Sequence, residues 1–416
     1  MAFSEKDLII FHMLTQKELI DHNFIAFFES VNDPRVEGRC VHKLIDIIII
    51  SMCGILSGVE SWVEMEDFGN VRKEWFEQFL ELTNGIPSHD TFARVFSIID
   101  ASEFEKCFID WCESISGKIS KRLSFDGKSI RGTCRAFQGD RAVHLVNVYS
   151  HTNGLVLGQK VATGSGSSEC ESVIKMLDFL NVKNALISFD AGIAYKKVID
   201  KIRQLKAHYL VPIKKNAKKN FSILDDFFKN IAENRSTHKE IDIASTKEIN
   251  RGRNEKRYCA LTCSPKILTE LSKSYKDIKC AFRIIRFRES EDKSSYVQAK
   301  QDDGTIVYKE SKTNLKTSKE TVYYVSSKKL TPERALIEVR SHWQIENKLH
   351  RTLDVVFHED ACRVKAREAA RNLSLLRKLA FNIIQKHPKK SSKKRKMKSA
   401  GWNVEFLEEL LYYAIQ

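Results

Sequence analysis

Proline is scarce, 6 in 416 residues, while 42% of the chain is hydrophobic. That combination excludes a mainly disordered protein. Long apolar runs are missing. The longest, Leu44 to Leu56 (LIDIIIISMCGIL), contains Asp46 and is too short to span a bilayer. The first residues, MAFSEKDLII, lack the basic flank and cleavage site of a signal peptide. The 10 cysteines are scattered. Cys259 and Cys263 are the closest pair, with no neighbouring Cys or His pair to complete a zinc site. Reduced, buried thiols in a cytoplasmic protein are therefore expected. No internal repeat is present. Acids are in deficit: 54 Asp+Glu against 69 Lys+Arg give a net charge of +15. A balance that basic points to a polyanionic partner, with nucleic acid first among the candidates.

Residues 1–115 read as mostly helical. VRKEWFEQFLEL (71–82) suggests one helix, and Thr83-Asn84-Gly85-Ile86-Pro87 a break. A second helix follows Ser88 as N-cap, with Phe92, Val95, Phe96 and Ile99 on one stripe. From residue 121 the periodicity changes. Strands are expected at Leu123–Asp126, Ala142–Ser150 and Leu155–Val161, with Asn153-Gly154 as a hairpin turn. Ser168-x-x-Glu171 resembles a capping box before a helix, and NALISF (184–189) reads as a strand ending at Asp190. A helix with Val198 and Ile202 and the strand His208–Ile213 follow. A three-strand meander feeding βαβ units is the order of a ribonuclease H-like α/β core. Residues of about 217–320 read as a β-rich insertion. Thr331-Pro332-Glu333 starts a helix running to about Thr352, with Trp343 expected in the core. Another long helix is expected at about 364–385. The run 386–398 (KHPKKSSKKRKMK), with 8 Lys+Arg, reads as a solvated linker that touches DNA backbone, followed by a closing helix.

Asp126 ends the first strand and Asp190 the fourth, strands that lie side by side in a ribonuclease H-like order. Ligand sites in open α/β sheets gather at carboxyl strand ends. Two carboxylates there repel unless a divalent cation joins them, and Mg²⁺ prefers oxygen ligands. Glu346, on the helix that follows the insertion, is the candidate third ligand of a two-metal site. Lys128 and Arg131 flank that edge and are candidate phosphate contacts. Arg340, His342, Asn347 and His350 lie near Glu346 and are candidates to position it or the DNA.

Phe125-Asp126-Gly127-Lys128-Ser129-Ile130-Arg131-Gly132 resembles the first catalytic motif of DDE-type bacterial insertion-sequence transposases, in particular the subgroup that includes the H-repeat-associated proteins. Phe189-Asp190-Ala191 continues the match. His342-Trp343-x-Ile345-Glu346-Asn347-x-Leu349-His350, followed by Leu353-Asp354-Val355-x-Phe357-x-Glu359-Asp360, resembles the third motif. Asp33-Pro34-Arg35 and Asn84-Gly85-Ile86-Pro87-Ser88-His89-Asp90-Thr91-Phe92 are similar to its associated helical domain. Gly192-Ile193-Ala194-Tyr195 departs from the pattern, as does Arg351 where Trp is common.

The resemblance implies a DNA transposase that cleaves strands and transfers them at element ends. Asp126, Asp190 and Glu346 would bind two Mg²⁺ or Mn²⁺ ions. Double-stranded DNA would be the partner, with a homodimer on DNA, in the bacterial cytoplasm at the nucleoid. The implied architecture is a helical N-terminal domain (1–115), a ribonuclease H-like catalytic domain (116–385) and a basic linker with a helix (386–416). A catalytically silent DNA-binding descendant and a nuclease of the same fold are the alternatives.

Overall fold

The computed structural model describes residues 24–116, 121–134, 141–162, 167–233, 239–250, 253–291, 297–300, 306–309 and 315–414. The chain is mixed α/β and divides into two compact units. One comprises residues up to Ile187 together with Trp343 onward, the other Ser188–His342.

The first unit opens with helices α1 (Phe24–Glu29), α2 (Leu44–Leu56), α3 (Trp62–Val71), α4 (His89–Ile98) and α5 (Ala101–Ser116). α2 is the longest apolar run, and all but one of its residues are buried, Asp46 included. The helix expected at 71–82 is not formed as such: α3 precedes it, starting at Trp62 and ending at Val71. Ser61 and Glu64 form a reciprocal capping box at its start, and only the short turn Lys73–Phe76 follows. α4 begins where Ser88 accepts a hydrogen bond from the Thr91 N–H, and Phe92, Val95, Phe96 and Ile99 are buried as a stripe. β1 (Arg122–Ile130), β2 (Val143–Ser150) and β3 (Val156–Val161) form an antiparallel meander. Gly154, at φ +72°, supplies the left-handed turn between β2 and β3. α6 (Ser167–Phe179) follows, but Ser168 lies inside it and its hydroxyl has no hydrogen-bond partner among the described residues, so the expected capping box is not formed. β4 (Leu186–Phe189) starts beside β1, where the Leu186 N–H donates to the Lys121 carbonyl.

The second unit contains α7 (Lys196–Gln204), β5 (His208–Ile213), α8 (Lys218–Glu233), β6 (Asp242–Asn250), β7 (Arg253–Thr262), α9 (Pro265–Ser272), β8 (Cys280–Glu291), the hairpin β9 (Val297–Lys300) and β10 (Ile306–Lys309), β11 (Leu315–Ser326) and α10 (Pro332–His342). Antiparallel pairings join β5, β11, β8, β7 and β6 in that order. The segment read as β-rich is so from Asp242, but it is entered through α8, whose Leu224, Phe228 and Ile231 are buried.

Back in the first unit, a π-helical segment (Ile345–His350) leads into α11 (Arg351–Val355), α12 (Arg367–Lys386), α13 (Lys393–Trp402) and α14 (Val404–Tyr412). The sequence suggests one apolar face for α12, yet 16 of its 20 residues are buried. Several of its polar side chains bond inside the fold. Asn372 donates to the carbonyls of Phe96 and Ile99, and Asn382 both donates to and accepts from the Val156 backbone. The basic run is built into the fold from its first residue. Lys386 donates to the Ile115 carbonyl, and buried Lys396 donates to those of Ile384 and His387, closing the C-terminus of α12.

β1 is clasped to the segment after the π-helix. The Lys128 ammonium, 8% exposed, lies 2.6 Å from Asp354. The Arg131 backbone N–H donates to Asp360, whose carboxylate also pairs with the Arg131 guanidinium at 3.2 Å. Gly132 is packed so closely that a Cβ would collide with the Cys362 carbonyl oxygen.

Two stability tests follow from this packing. Asp354→Leu strands the buried Lys128 cation and is expected to cost about 2–3 kcal/mol in urea unfolding. Lys128→Met leaves Asp354 a route to solvent and should cost about 1 kcal/mol or less, and the double variant should recover part of the Asp354→Leu loss. Equal losses from the two single variants would contradict the clasp. Burial raises the Asp46 carboxyl to about 6, against the opposing pull of Lys43. A folded-state value above the unfolded one gives stability that is present at low pH and lost as pH rises through about 6. Wild type should therefore lose up to about 3 kcal/mol relative to Asp46→Asn between about pH 4 and pH 7. Parallel stability–pH curves for the two proteins would refute it.

Candidate metal centre

Asp126 stands in the middle of β1, opposite Asn147 of β2. Its carboxylate accepts a hydrogen bond from the Gly127 N–H at 2.9 Å. Glu346 and His350 come from the π-helical segment, where the Arg351 N–H reaches back five residues to the Glu346 carbonyl. The widened turn breaks the line of Val339, Glu346 and Leu353 that a regular helix would make: Leu353 is buried and Glu346 exposed. Short π segments are frequent at functional sites, because one extra residue redirects the side chains that follow it.

His350 is buried with Nδ1 2.9 Å from Glu346 Oε2 and 3.5 Å from Asp126 Oδ2. Its Nε2 lies 3.5 Å from the Asn147 amide nitrogen. The hydrogen bond to His350 holds the Glu346 carboxyl below its usual range, outweighing partial desolvation, with Lys128 adding to the effect. Ligand atoms of Asp126, Glu346 and His350 all lie within 4.8 Å of one another. Two carboxylates and an imidazole at that spacing are a donor set that fits a hard or borderline divalent cation.

The remaining candidates fall into different settings. Asp190 belongs to the second unit, is exposed just after β4, and lies 3.5 Å from the Lys214 ammonium. His342 ends α10 and meets the Ser188 hydroxyl at 3.0 Å, and burial lowers its pKa against the opposing influence of Asp190. Arg340 pairs with Glu248. Asn347 donates to the Trp343 carbonyl at 2.9 Å. Trp343, expected in the core, is 48% exposed. Lys128 is committed to Asp354, whereas the Arg131 side chain is 85% exposed despite its pairing with Asp360.

Asp354, Glu359 and Asp360 were legible only as letters of the third motif; their roles as anchors for Lys128, Lys378 and Arg131 needed the fold. Glu359 is fully buried, 3.4 Å from Lys378, and accepts from Ser374 at 2.6 Å. Burial works to raise its carboxyl, but Lys378, Ser374 and Arg377 outweigh it and hold it ionised. The sequence offers His350 as a residue that positions Glu346 or the DNA, and its place between the two carboxylates carries no signal there beyond its four-residue offset from Glu346.

Comparison with known proteins is consistent along the chain. Residues 91–383 match the Transposase DDE domain family, and residues 25–112 match the DDE_Tnp_1-associated family. "Putative transposase YncI" of Escherichia coli O157:H7 is 34% identical over 395 residues, covering 94% of each chain. "H repeat-associated putative transposase YhhI" of Escherichia coli K12 is 30% identical over 397 residues, covering 95% of this chain and 98% of that one. Among solved structures, a piggyBac transposase synaptic complex with hairpin DNA is similar at a TM-score of 0.39 and 10% identity, over 96% of this chain and 80% of that one, too remote to add to the assignment. With the domain match covering more than half of its residues and relatives aligned from end to end, the chain belongs to the DDE family of insertion-sequence transposases.

Proposed function

We propose that the chain cleaves and transfers DNA strands at the ends of its own element, on a ribonuclease H-like core, with Asp126, Asp190 and Glu346 as the ligands of two Mg²⁺ or Mn²⁺ ions. The observation that supports this reading most directly is the convergence of Asp126 and Glu346, 220 positions apart in sequence, with His350 against both. The β1–β2–β3 meander with β4 starting beside β1 supports the core assignment. Asp190 enters as the residue at the matching position of the second motif.

Ions bound there would polarise the attacking oxygen and stabilise the leaving one. The protein's own groups do the rest. His350 holds the Glu346 carboxylate turned toward Asp126, and the clasp through Lys128, Arg131 and Gly132 fixes β1 against the segment that carries Glu346. Arg131 offers an exposed guanidinium for a phosphate next to the scissile bond. Arg340, His342 and Asn347 would position DNA near Glu346. Paired ends call for a homodimer on double-stranded DNA, and the site of action would be the bacterial cytoplasm, at the nucleoid. No helix among the described residues is long and apolar enough to cross a membrane.

Incubated with duplex DNA carrying the element's ends and Mg²⁺, wild type is expected to cleave strands. Asp126→Asn and Glu346→Gln are each expected to lose cleavage by on the order of 10³-fold or more while still binding the duplex. Unchanged cleavage in Asp126→Asn would remove the assignment. A second incubation with labelled target DNA separates a transposase, which joins the strands, from a nuclease, which only cuts.

A further inference from the structure

Gly127 directly follows Asp126 in β1. A strand residue without a Cβ weakens the strand where it stands and leaves the adjoining peptide loosely held. That peptide matters here, because its N–H is the donor to Asp126 Oδ1, at 2.9 Å. Asp126 Oδ2 is the oxygen turned toward His350. A swing of the peptide between residues 126 and 127 would carry the carboxylate away from Glu346.

By the two-residue period of a strand, Asp126 and Lys128 lie on one face of β1, and Gly127 and Ser129 on the other. The clasp to Asp354 holds the first face. On the second, His144 of β2 stands opposite Ser129 and diagonal to Gly127, within reach of a long side chain. Its ring leans over the glycine: a Cβ built there would lie 2.7 Å from His144 Nε2 and 2.9 Å from Glu169 Oε1. Only glycine fits in front of this pair. The ring is fixed at both nitrogens. Nε2 lies 2.6 Å from Glu169 Oε1, and Nδ1 lies 2.8 Å from Ser129 Oγ. Glu169 comes from the first turn of α6, so the brace is tied to a second element. An imidazole held at both ends cannot turn without breaking a hydrogen bond, and it makes a rigid backing for the peptide before it.

We propose that His144 is a positioning residue for Asp126. With its ring fixed by Glu169 and Ser129, it holds the Gly127 peptide so that the Asp126 carboxylate stays turned toward Glu346. It acts through the backbone, from the face of the strand opposite the carboxylate. The proposal rests on the reading of Asp126 and Glu346 as metal ligands. β1 is then gripped from both sides at that residue, by the clasp on one face and by the His144–Glu169 pair on the other.

The test titrates the full chain with Mn²⁺ in the absence of DNA, read by electron paramagnetic resonance, and then measures cleavage kinetics on a duplex carrying the element's ends. His144→Ala is expected to weaken Mn²⁺ binding by about 10–100-fold and to lower kcat with KM for the duplex unchanged. Glu169→Leu, which frees the ring, should act in the same direction. Glu169→Gln keeps an oxygen acceptor of the same size and should stay near wild type in both measurements. Gly127→Ala, which collides with His144, should be defective, and adding His144→Ala to it should bring little further loss, because both changes break one contact. Should His144→Ala fail to fold, Glu169→Leu and Glu169→Gln decide the matter between them. A lowered Tm with Mn²⁺ affinity and kcat retained would make the pair a structural contact and overturn the proposal. Equal losses in Glu169→Gln and Glu169→Leu would also overturn it, since charge rather than position would then be at work, as would fully additive losses in the double variant. Failure of the underlying reading shows differently: Asp126→Asn would itself leave Mn²⁺ binding and cleavage unchanged, and the proposal would fall with it.

Discussion

The carboxylates of Asp126 and Glu346 meet only because β1 is clasped to a stretch of chain that follows the π-helix. Lys128 reaches Asp354, the Arg131 backbone and side chain both reach Asp360, and Gly132 lets the strand end come against the Cys362 carbonyl. Each contact alone is modest. Together they set a register, because a one-residue slip of β1 would turn both Asp126 and Lys128 to the other face of the sheet. Asp126 and Lys128 share a face by the two-residue period of a strand, so the salt bridge that anchors the strand also aims the carboxylate.

The clasp in turn leans on α12. Glu359, one residue before Asp360, is buried against Lys378 and Ser374, and Lys378 also donates to Gln159 of β3. The polar side chains of α12 are thus distributed among β3, α4, α5 and the segment after α11. A helix buried on nearly all sides would pack equally well in several rotations if it were uniformly apolar. Here Asn372, Lys378 and Asn382 each meet a partner on a different side, and leaving one unpaired costs about 1–3 kcal/mol, so one rotation is favoured.

Local features were legible in the sequence wherever the controlling interaction is local. The Ser88 cap, the stripe of α4, the Asn153-Gly154 turn and the limits of β5 all follow from residues within a few positions of one another. The motifs around Asp126 and Glu346 were legible too. What escaped are features decided by distant partners. The π-helical turn buries Leu349, His350 and Leu353 together, an arrangement that local propensity does not announce. Trp343 reads as core on a regular helix, but the altered winding after it removes that register. Ser168 has the letters of a cap but lies inside its helix, while Ser61 and Glu64 form the real box. Lys128 reads as a surface charge until Asp354, far along the chain, is brought to it.

The same distinction changes what the excess of basic residues means. Net charge is a property of composition, yet Lys128, Lys378 and Lys396 are buried and spend their charge inside the fold on Asp354, on Glu359 and on the last carbonyls of α12. Even the run 386–398, which carries the densest positive charge, contributes side chains to internal contacts: Lys389 lies over the Phe406 ring and Lys393 over Phe381. The affinity of this chain for DNA therefore cannot be apportioned by counting Lys and Arg. On the proposed reading it would draw on cations that the fold leaves exposed, such as Arg363. Removing a cation of that kind would alter the salt dependence of binding more than the stability of the fold.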